Sequence, residues 1–448
     1  MGLDGVRRAA EAAKASGQEM KFTALLHHIT PELLRSSFEH LKRDAAPGVD
    51  GVHWRDYEQD LTAQLQVLWE AVRSGRYRAL PSRRVYIRKA DGGQRPLGIA
   101  ALEDKIVQQA LVTVLTPIYE AAFLGFSYGF RPGRGAHDAL DALSVGIDTR
   151  RVNWILDADI KSFFDTVDHA RLMQFVAHRV ADRRVLRLIR KWLTAGVVED
   201  GTKTIVRVGT PQGAVISPLL ANIYLHYVYD LWVHQWRGRH AQGLVTVVRY
   251  ADDTVVGFER EADANTFTQA LHIRLAQFGL TLHDAKTRLL EFGRHAASRR
   301  AQRGEPRPET FDFLGFTHVC GKTRKNGRFQ VQRLTAKKRL RASLHAVRAA
   351  LYQRRHEPLH VLGGWLRRVL QGYLRYHAVP GNLRRLRGYV WDVGRYWLRS
   401  LRRRGQRRPM TWARLRTYIA FYFPKVRVLH PYPSIRFASS TRGRSRMR

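Results

Sequence analysis

Apolar positions repeat at helical spacing in some stretches of the chain and at strand-like spacing in others. Leu61, Leu65, Leu68 and Val72 have helical spacing, and the helix that they predict is expected to end at Gly75. Further helical patterns cover residues 105–115 and 262–278, and a glycine-proline loop leads into a long apolar helix within 209–233. The first 320 residues therefore contain several helices, with strand-like segments between them.

The strand-like segments include two predicted hairpins. Residues 83–99 read as a strand, an Asp91-Gly92-Gly93 turn and a returning strand. Residues 247–258 read as two apolar, β-branched strands with Asp252 and Asp253 at the turn between them. Other strands are predicted at 152–159, which becomes polar at Asp157 and Asp159, and within 279–292 and 310–319. Helices and strands are segregated rather than strictly alternating, which predicts an α+β domain.

From Leu334 onward the pattern becomes helical. Three amphipathic helices are predicted from apolar residues at helical spacing: Leu340, Leu344, Val347 and Leu351; Leu366, Val369, Leu370 and Tyr373; and Leu383, Leu386, Val390 and Val393. Their outer faces are rich in arginine, and we expect Trp391 and Trp397 to be buried in the bundle. The boundary between the α+β domain and this helical bundle is predicted near 320–335.

Charge separates the same two regions. The chain of 448 residues has 77 Lys and Arg against 38 Asp and Glu, a net charge of +39, yet residues 321–448 alone hold 34 basic and two acidic residues. Such a field favours a polyanionic partner, above all nucleic acid. A solvated basic surface or a membrane-surface patch is the alternative, but no transmembrane run or amphipathic anchor is evident.

Cysteine usage and the N-terminus bear on the compartment. The single cysteine, Cys320, excludes a disulfide framework and a thiolate zinc site. The first residues contain no apolar run long enough for a signal peptide. We therefore expect a reducing, intracellular compartment; for a bacterial protein this would be the cytoplasm, where association with the nucleoid is compatible with the charge.

The adjacent Asp252 and Asp253 need an explanation in so cationic a chain. Aspartate favours turns because its side chain can accept hydrogen bonds from nearby backbone N–H groups, which accounts readily for one of the two. Two neighbouring carboxylates repel each other unless a positive group lies close. Together with Asp159 they would form a site of hard oxygen ligands suited to Mg²⁺. Two such ions can activate a 3′-hydroxyl and stabilise leaving pyrophosphate.

The order of the motifs resembles that of reverse transcriptases encoded by bacterial group II introns, over nearly the whole chain. The matching segments, in chain order, are APGVDGV (46–52), RKADGGQRPLGI (88–99), SYGFRPGRGAHDAL (127–140), DIKSFFDTVDH (159–169), GTPQGAVISPLLANI (209–223), RYADD (249–253), GLTLHDAKT (279–287) and FLGF (313–316). The resemblance implies an α+β right-hand polymerase fold, in which fingers and palm with antiparallel sheet are followed by an α-helical thumb or maturase domain. It also implies an RNA-directed DNA polymerase that uses two Mg²⁺ ions.

The resemblance assigns roles residue by residue. It implies that Asp159, Asp252 and Asp253 are catalytic and hold the metal ions, with the Ile160 carbonyl as a further ligand. The implied nucleotide-binding residues are Lys89 and Arg95 at the triphosphate, Phe164 under the sugar, Gln212 beside the nucleotide and Lys286 near the leaving pyrophosphate. Asp157 is interpreted as structural, because the family's spacing from Phe164 selects Asp159. Each role has a simpler alternative. Lys89 and Arg95 could be solvated charges on a hairpin, Phe164 an ordinary core aromatic, and Lys286 a surface lysine.

The C-terminal region resembles the maturase domain of the same family. The match lies in 363–377 and 386–412, and the implied RNA-binding residues are Arg402, Arg403, Arg404, Arg407 and Arg408. We divide the chain into an N-terminal extension (1–60), fingers and palm (61–320), a thumb and maturase domain (334–420) and a basic tail (421–448). The tail is expected to be disordered until it binds nucleic acid. Longer family members carry an endonuclease with paired cysteines, which a single cysteine cannot supply.

These resemblances predict the partners. They are group II intron RNA, an RNA template with a DNA primer, target DNA and deoxynucleoside triphosphates, with no membrane partner. The predicted function is reverse transcription with splicing assistance and retrohoming by target-primed synthesis. The alternatives are a reverse transcriptase of a retron, a diversity-generating element or a defence system, and an RNA-binding splicing factor without catalysis. The maturase-like region argues against the first group, and the presence of all three aspartates argues against the last.

Overall fold

The computed structural model describes residues 3–17, 20–88, 93–204, 208–210, 213–323, 325–402 and 410–441. The helices are α1 (Leu3–Ala15), α2 (Pro31–His40), α3 (Trp54–Gln59), α4 (Leu61–Ser74), α5 (Leu102–Ala122), α6 (Ala136–Thr149), α7 (Phe163–Thr166), α8 (His169–Ala177), α9 (Arg183–Thr194), α10 (Ser217–Leu225), α11 (Leu231–Arg239), α12 (Glu261–Ala276), α13 (Ala296–Gln302), α14 (Lys337–Gln353), α15 (Leu359–His377), α16 (Leu383–Arg402), α17 (Trp412–Tyr422) and α18 (Pro433–Thr441). The strands are β1 (Ser82–Arg88), β2 (Gln94–Ile99), β3 (Trp154–Asp159), β4 (Val197–Glu199), β5 (Thr202–Thr204), β6 (Val245–Tyr250), β7 (Asp253–Phe258), β8 (Arg288–Glu291), β9 (Phe311–Phe313), β10 (Phe316–Lys322) and β11 (Phe329–Thr335).

Most of the predicted helices are present, with boundaries that follow local sequence signals. The helix predicted from Leu61 is α4, and it ends at Gly75, whose φ of 78° is a left-handed conformation that glycine adopts without steric cost. The helix predicted at 105–115 is part of the longer α5. The long apolar helix after residue 209 is α10 and α11, joined by a π-helical turn at His226–Asp230.

The first sheet has the strand order β2-β1-β4-β5. The predicted hairpin is present: β1 and β2 pair antiparallel from Arg83 opposite Ile99 to Arg88 opposite Gln94. Asp91 and Gly92 of its predicted turn lie outside the described residues. The pairing of β1 with β4 is parallel, and the helices α5 to α9 with the strand β3 supply the long crossover that a parallel pair requires.

The central sheet has the strand order β6-β7-β3-β8, and all its pairings are antiparallel. Side chains alternate between its faces, as the strand period of two requires. Leu156 and Val256 pack into the largest hydrophobic core, with α5, whereas Ile155 and Val255 pack into a second core with α6 and β9 to β11. Mixed helices and antiparallel sheets are therefore confirmed, and the central sheet lies between two cores.

The helices α14 to α17 share a third core, which confirms a helical region after the third sheet, β11-β10-β9. Trp397 is fully buried there. The prediction for Trp391 is wrong: 53% of its surface is exposed, and its ring lies against Trp412 with 4.7 Å between centroids. Trp391 follows Val390 by one residue, or about 100° around the helix, so it points away from the core when Val390 and Val393 face inward.

The end of the described chain is more ordered than we expected. Residues 433–441 form α18, which packs against α6, and Arg436 forms an ion pair with Asp138 at 2.9 Å. The expectation of disorder is therefore wrong for this part of the tail, whereas residues 442–448 lie outside the described part of the chain. Within the described residues, no helix is both long enough and apolar enough to cross a membrane.

Candidate active site

The central sheet brings Asp159 beside the Asp252–Asp253 turn. Asp159 is the last residue of β3, and in the β3–β7 pairing it lies directly opposite Asp253, the first residue of β7. Asp252 lies in the two-residue turn that joins β6 to β7. Asp159 and Asp252 are 93 positions apart in sequence, so only the sheet makes them neighbours.

Burial makes the ionised forms of Asp252 and Asp253 costly. Burial, followed by the charges of Asp252 and Asp159, raises the pKa of Asp253 to about 6, although its side chain keeps an exposed surface. Burial also raises the pKa of Asp252, and the nearby Asp159 adds to the effect. Because three anionic groups repel one another here, the site stabilises added positive charge.

Cationic side chains lie close to these carboxylates. Lys286 donates a hydrogen bond from Nζ to Oδ2 of Asp159 at 2.6 Å. Arg95, on the exposed part of β2, is close enough to lower the pKa of Asp252 against the larger effect of burial. The first sheet therefore presents a positive charge toward the carboxylates on the central sheet.

Asp157 lies on the same face of β3 as Asp159, two residues earlier. Burial raises the pKa of Asp157 to about 7, while the positive charge of Arg288 acts in the opposite direction. Its partner in the strand pairing with β8 is Arg288 itself. Asp157 thus has a cationic neighbour on the adjacent strand.

The residues present fit a magnesium site that is completed by substrate. Among the described residues, no three His, Cys, Asp or Glu side chains are arranged as a ready-made metal centre. Mg²⁺ is commonly held by one or two carboxylates together with substrate phosphates and water, rather than by a cage of protein ligands. Asp159, Asp252 and Asp253 supply hard oxygen ligands of this type. The Ile160 carbonyl belongs to the same segment, next to Asp159, where Ile160 forms an isolated bridge with Leu282.

The turn that carries Asp252 depends on close backbone packing. Ala251 has a φ of 57°, in the left-handed region, which costs a non-glycine residue roughly 1 kcal/mol. Gly129 lies against this turn, and a Cβ at position 129 would overlap the backbone nitrogen of Ala251. Sequence reasoning did not single out Gly129 or the fully buried Arg249, although an arginine inside an otherwise apolar strand is a signal that could have found it.

The remaining predicted nucleotide-binding residues are only partly described. Phe164 lies in α7 with 9% of its surface exposed and packs edge-on against Phe163 at 5.4 Å between centroids. Gly213 has a φ of 107°, and a Cβ there would lie 2.9 Å from the carbonyl oxygen of Gly98 in β2. The loop before α10 therefore approaches the first sheet closely. Lys89 and Gln212 lie outside the described residues.

The predicted RNA-binding arginines fall at the end of α16. Arg402 is exposed and donates a hydrogen bond from Nε to the carbonyl oxygen of Met410 at 3.1 Å, whereas Arg403, Arg404, Arg407 and Arg408 lie outside the described residues. The same end of α16 borders an open groove of about 730 Å³ between α14 and α16. Basic and aromatic side chains line it, among them His345, Arg348, Tyr352, Tyr396, Arg399 and Arg402. Sequence reasoning did not single out the α14 side of this groove.

Comparison with known proteins identifies relatives. Residues 87–318 match the family model described as reverse transcriptase (RNA-dependent DNA polymerase). Protein YkfC of Escherichia coli is 38% identical over 276 residues, covering 54% of this chain and 72% of YkfC. The group II intron-encoded protein LtrA of Lactococcus lactis is 34% identical over 207 residues, covering 46% of this chain and 34% of LtrA. An uncharacterised 91 kDa protein in the cob intron of Schizosaccharomyces pombe is 34% identical over 233 residues, covering 51% of this chain and 28% of that protein.

Proposed function

The chain belongs to the reverse transcriptase family of RNA-directed DNA polymerases, among the group II intron-encoded reverse transcriptases and maturases, and we propose that its central sheet carries the polymerase site while its basic C-terminal region binds intron RNA. The observation that carries the proposal for the polymerase site is the register of the central sheet. It sets Asp159 opposite Asp253, beside the turn that holds Asp252.

In this proposal Asp159, Asp252 and Asp253 are the catalytic carboxylates. Two Mg²⁺ ions held by them, with the Ile160 carbonyl as a further ligand, would neutralise phosphate charge and lower the pKa of the primer 3′-hydroxyl. Lys286, which contacts Asp159, would exchange this contact for the leaving pyrophosphate. Its exposed side chain leaves it free to reorient.

The nucleotide would lie between the first sheet and the carboxylates. Arg95 and Lys89 would hold the triphosphate of the incoming deoxynucleotide, because an arginine fork can bind phosphate bidentately. Phe164 would contact the sugar and exclude a 2′-hydroxyl, and Gln212 would lie beside the base. The support for Arg95 is its electrostatic effect on Asp252.

Binding of intron RNA is assigned to the C-terminal bundle, which lies in the segment with 34 basic and two acidic residues. The groove between α14 and α16 presents Arg348 and Arg399 beside the exposed ring of Tyr352. Arginine neutralises phosphate and tyrosine can stack on an unpaired base, so the groove suits a structured RNA with unstacked nucleotides. Arg402 and the arginines at 403–408 would contribute further positive charge to RNA binding. Retrohoming would add target DNA as a partner, with its cleaved strand as the primer.

The two activities are expected to separate by mutation. Asp252→Ala with Asp253→Ala should reduce extension of a DNA primer on an RNA template to background, because the metal-binding carboxylates are lost. The same variant should retain its affinity for the intron RNA and its promotion of splicing, since the RNA performs its own transesterifications and the protein contributes binding energy to the folded RNA.

Charge reversal in the groove is the matched variant. Arg348→Glu with Arg399→Glu should weaken intron RNA binding. It should also make log affinity fall less steeply with log salt, by up to about two in the slope, because fewer counterions are released. Extension of a short generic primer-template should suffer less. If loss of the two aspartates abolished splicing in a protein that remained folded, the proposed division of labour would be wrong. An unchanged salt slope in the groove variant would exclude this groove as RNA-binding surface.

A further inference from the structure

Arg249 is a buried charge directly beside the catalytic turn. It lies near the end of β6, two residues before Ala251, with 1% of its surface exposed. Burying a guanidinium is costly unless its hydrogen-bonding groups are all satisfied. This arginine is therefore present at a stability cost that only a complete set of partners can offset.

The partners of Arg249 account for all five of its N–H groups. Nε and Nη2 donate to the two carboxylate oxygens of Asp230 at 2.7 and 2.6 Å, and Nη2 also donates to the hydroxyl of Ser127 at 2.7 Å. Nη1 donates to the side-chain oxygen of Asn222 at 3.1 Å and to the carbonyl oxygen of Ala251 at 2.8 Å. A lysine could not reproduce this planar set of bonds.

Asp230 owes its place to an irregularity in the helix. It ends the π-helical turn between α10 and α11, and its side chain is fully buried. Such turns are uncommon and are often found at functional sites, because they change which face of a helix a side chain occupies. The other helical partner of Arg249, Asn222, lies before this turn on α10.

The same network holds the segment that packs on the turn. Asn222 donates to the carbonyl oxygen of Gly129 at 2.7 Å, and the backbone of Arg249 bonds to Phe126 and Tyr128 at 2.9 Å each. Thus the turn, the segment of residues 125–129 (the Gly129 segment) and the helix α10 meet at the Arg249 side chain. We infer that Arg249 and Asp230 form a positioning pair that fixes the Ala251 carbonyl and thereby the carboxylates of Asp252 and Asp253. This inference rests on the proposed metal site.

The test replaces the pair by apolar residues of similar size. Arg249→Met with Asp230→Leu removes both charges together, a replacement that commonly leaves a buried site as stable as before. The matched control is Arg333→Met with Asp141→Leu, which removes a second buried pair, with a contact of 2.6 Å, that joins β11 to α6. For both variants we would measure thermal unfolding, primer-template affinity and extension kinetics. Mn²⁺ binding would be measured by electron paramagnetic resonance.

The Arg249–Asp230 variant should unfold near the temperature of the control and bind primer-template within about twofold of the wild type, because both variants replace a buried ion pair by apolar residues of similar size and neither removes an exposed cation. Its kcat should fall by roughly tenfold or more and its Mn²⁺ affinity by several-fold, because the turn is no longer held in place. The control variant should change neither. Equal Mn²⁺ affinity and kcat in the two variants would overturn the inference. A decrease of kcat and Mn²⁺ affinity in both variants, in proportion to their loss of thermal stability, would overturn it too.

Arg249→Lys covers the case in which the double variant does not fold. Lysine keeps the charge opposite Asp230 and loses the bond to Ala251, so kcat and Mn²⁺ affinity should still fall while the protein folds. Wild-type values in this variant would overturn the positioning role. Absence of Mn²⁺ binding and extension in the wild type would instead refute the proposed metal site.

Discussion

Gly129→Ala should damage catalysis while leaving the fold and the nucleic-acid affinity in place. The Cβ of alanine would overlap the backbone nitrogen of Ala251 and would lie 2.9 Å from the carbonyl carbon of Tyr250. Both neighbours are backbone, so neither can rotate out of the way. Relief requires the turn or the Gly129 segment to move by ~0.5–1 Å, at a stability cost of about 1–3 kcal/mol.

The catalytic consequence follows from where that shift occurs. The turn carries Asp252 and is followed at once by Asp253, and a displacement of ~1 Å at a catalytic group can cost up to about 10²-fold in rate. We therefore expect kcat for primer extension to fall by roughly 10- to 100-fold, which corresponds to about 1.4–2.7 kcal/mol of transition-state stabilisation. Primer-template affinity should change little, because the perturbation does not remove a phosphate contact.

Single-turnover extension of a DNA primer on an RNA template, with binding measured by fluorescence anisotropy, checks this expectation. Gly125→Ala is the matched control, since it lies four residues earlier in the same segment and a Cβ there would meet nothing within 4 Å. An extension rate for Gly129→Ala equal to that of Gly125→Ala would refute the reasoning. It would mean that the turn tolerates the displacement.

Two further predictions concern pH and sugar selection. Because the pKa of Asp253 is raised to about 6, a proton competes with the metal below that pH. The Mg²⁺ concentration for half-maximal extension should therefore rise as pH falls from 7 to 5.5. A Mg²⁺ concentration for half-maximal extension that does not change with pH would contradict this. Phe164→Val shortens the side chain that is proposed to contact the sugar, so the variant should admit ribonucleotides and leave deoxynucleotide incorporation largely intact. Equal ribonucleotide incorporation by variant and wild type would exclude that role.

Local sequence was sufficient for most helices, for both hairpins and for the change to a helical bundle. The helix ending at Gly75 and the hairpin at 247–258 could be predicted because spacing of apolar residues and turn chemistry act between near neighbours. The order of the motifs selected Asp159, Asp252 and Asp253, whose roles stay predictions. Spacing within β3 alone did not separate Asp157 from Asp159, because both lie on the same face of the strand.

What the sequence could not supply depends on packing between distant segments. Trp391 and Trp397 lie on one helix, and the docking of α14, α15 and α17 buries only the face that holds Val393 and Trp397. Helix α18 is ordered against α6, some 300 positions away, through Arg436, and no local pattern reports such a partner.

Arg249 shows the same limit at the site itself. Its bond to Ser127 joins residues 122 positions apart, and its partner Asp230 faces it from a π-helical turn that periodicity alone does not predict. The sequence by itself determined the local elements and the chemistry that the three aspartates could perform. Only the tertiary structure decided which charges are buried and which backbone segments hold the turn with Asp252 and Asp253, because burial and register depend on all the packed elements at once.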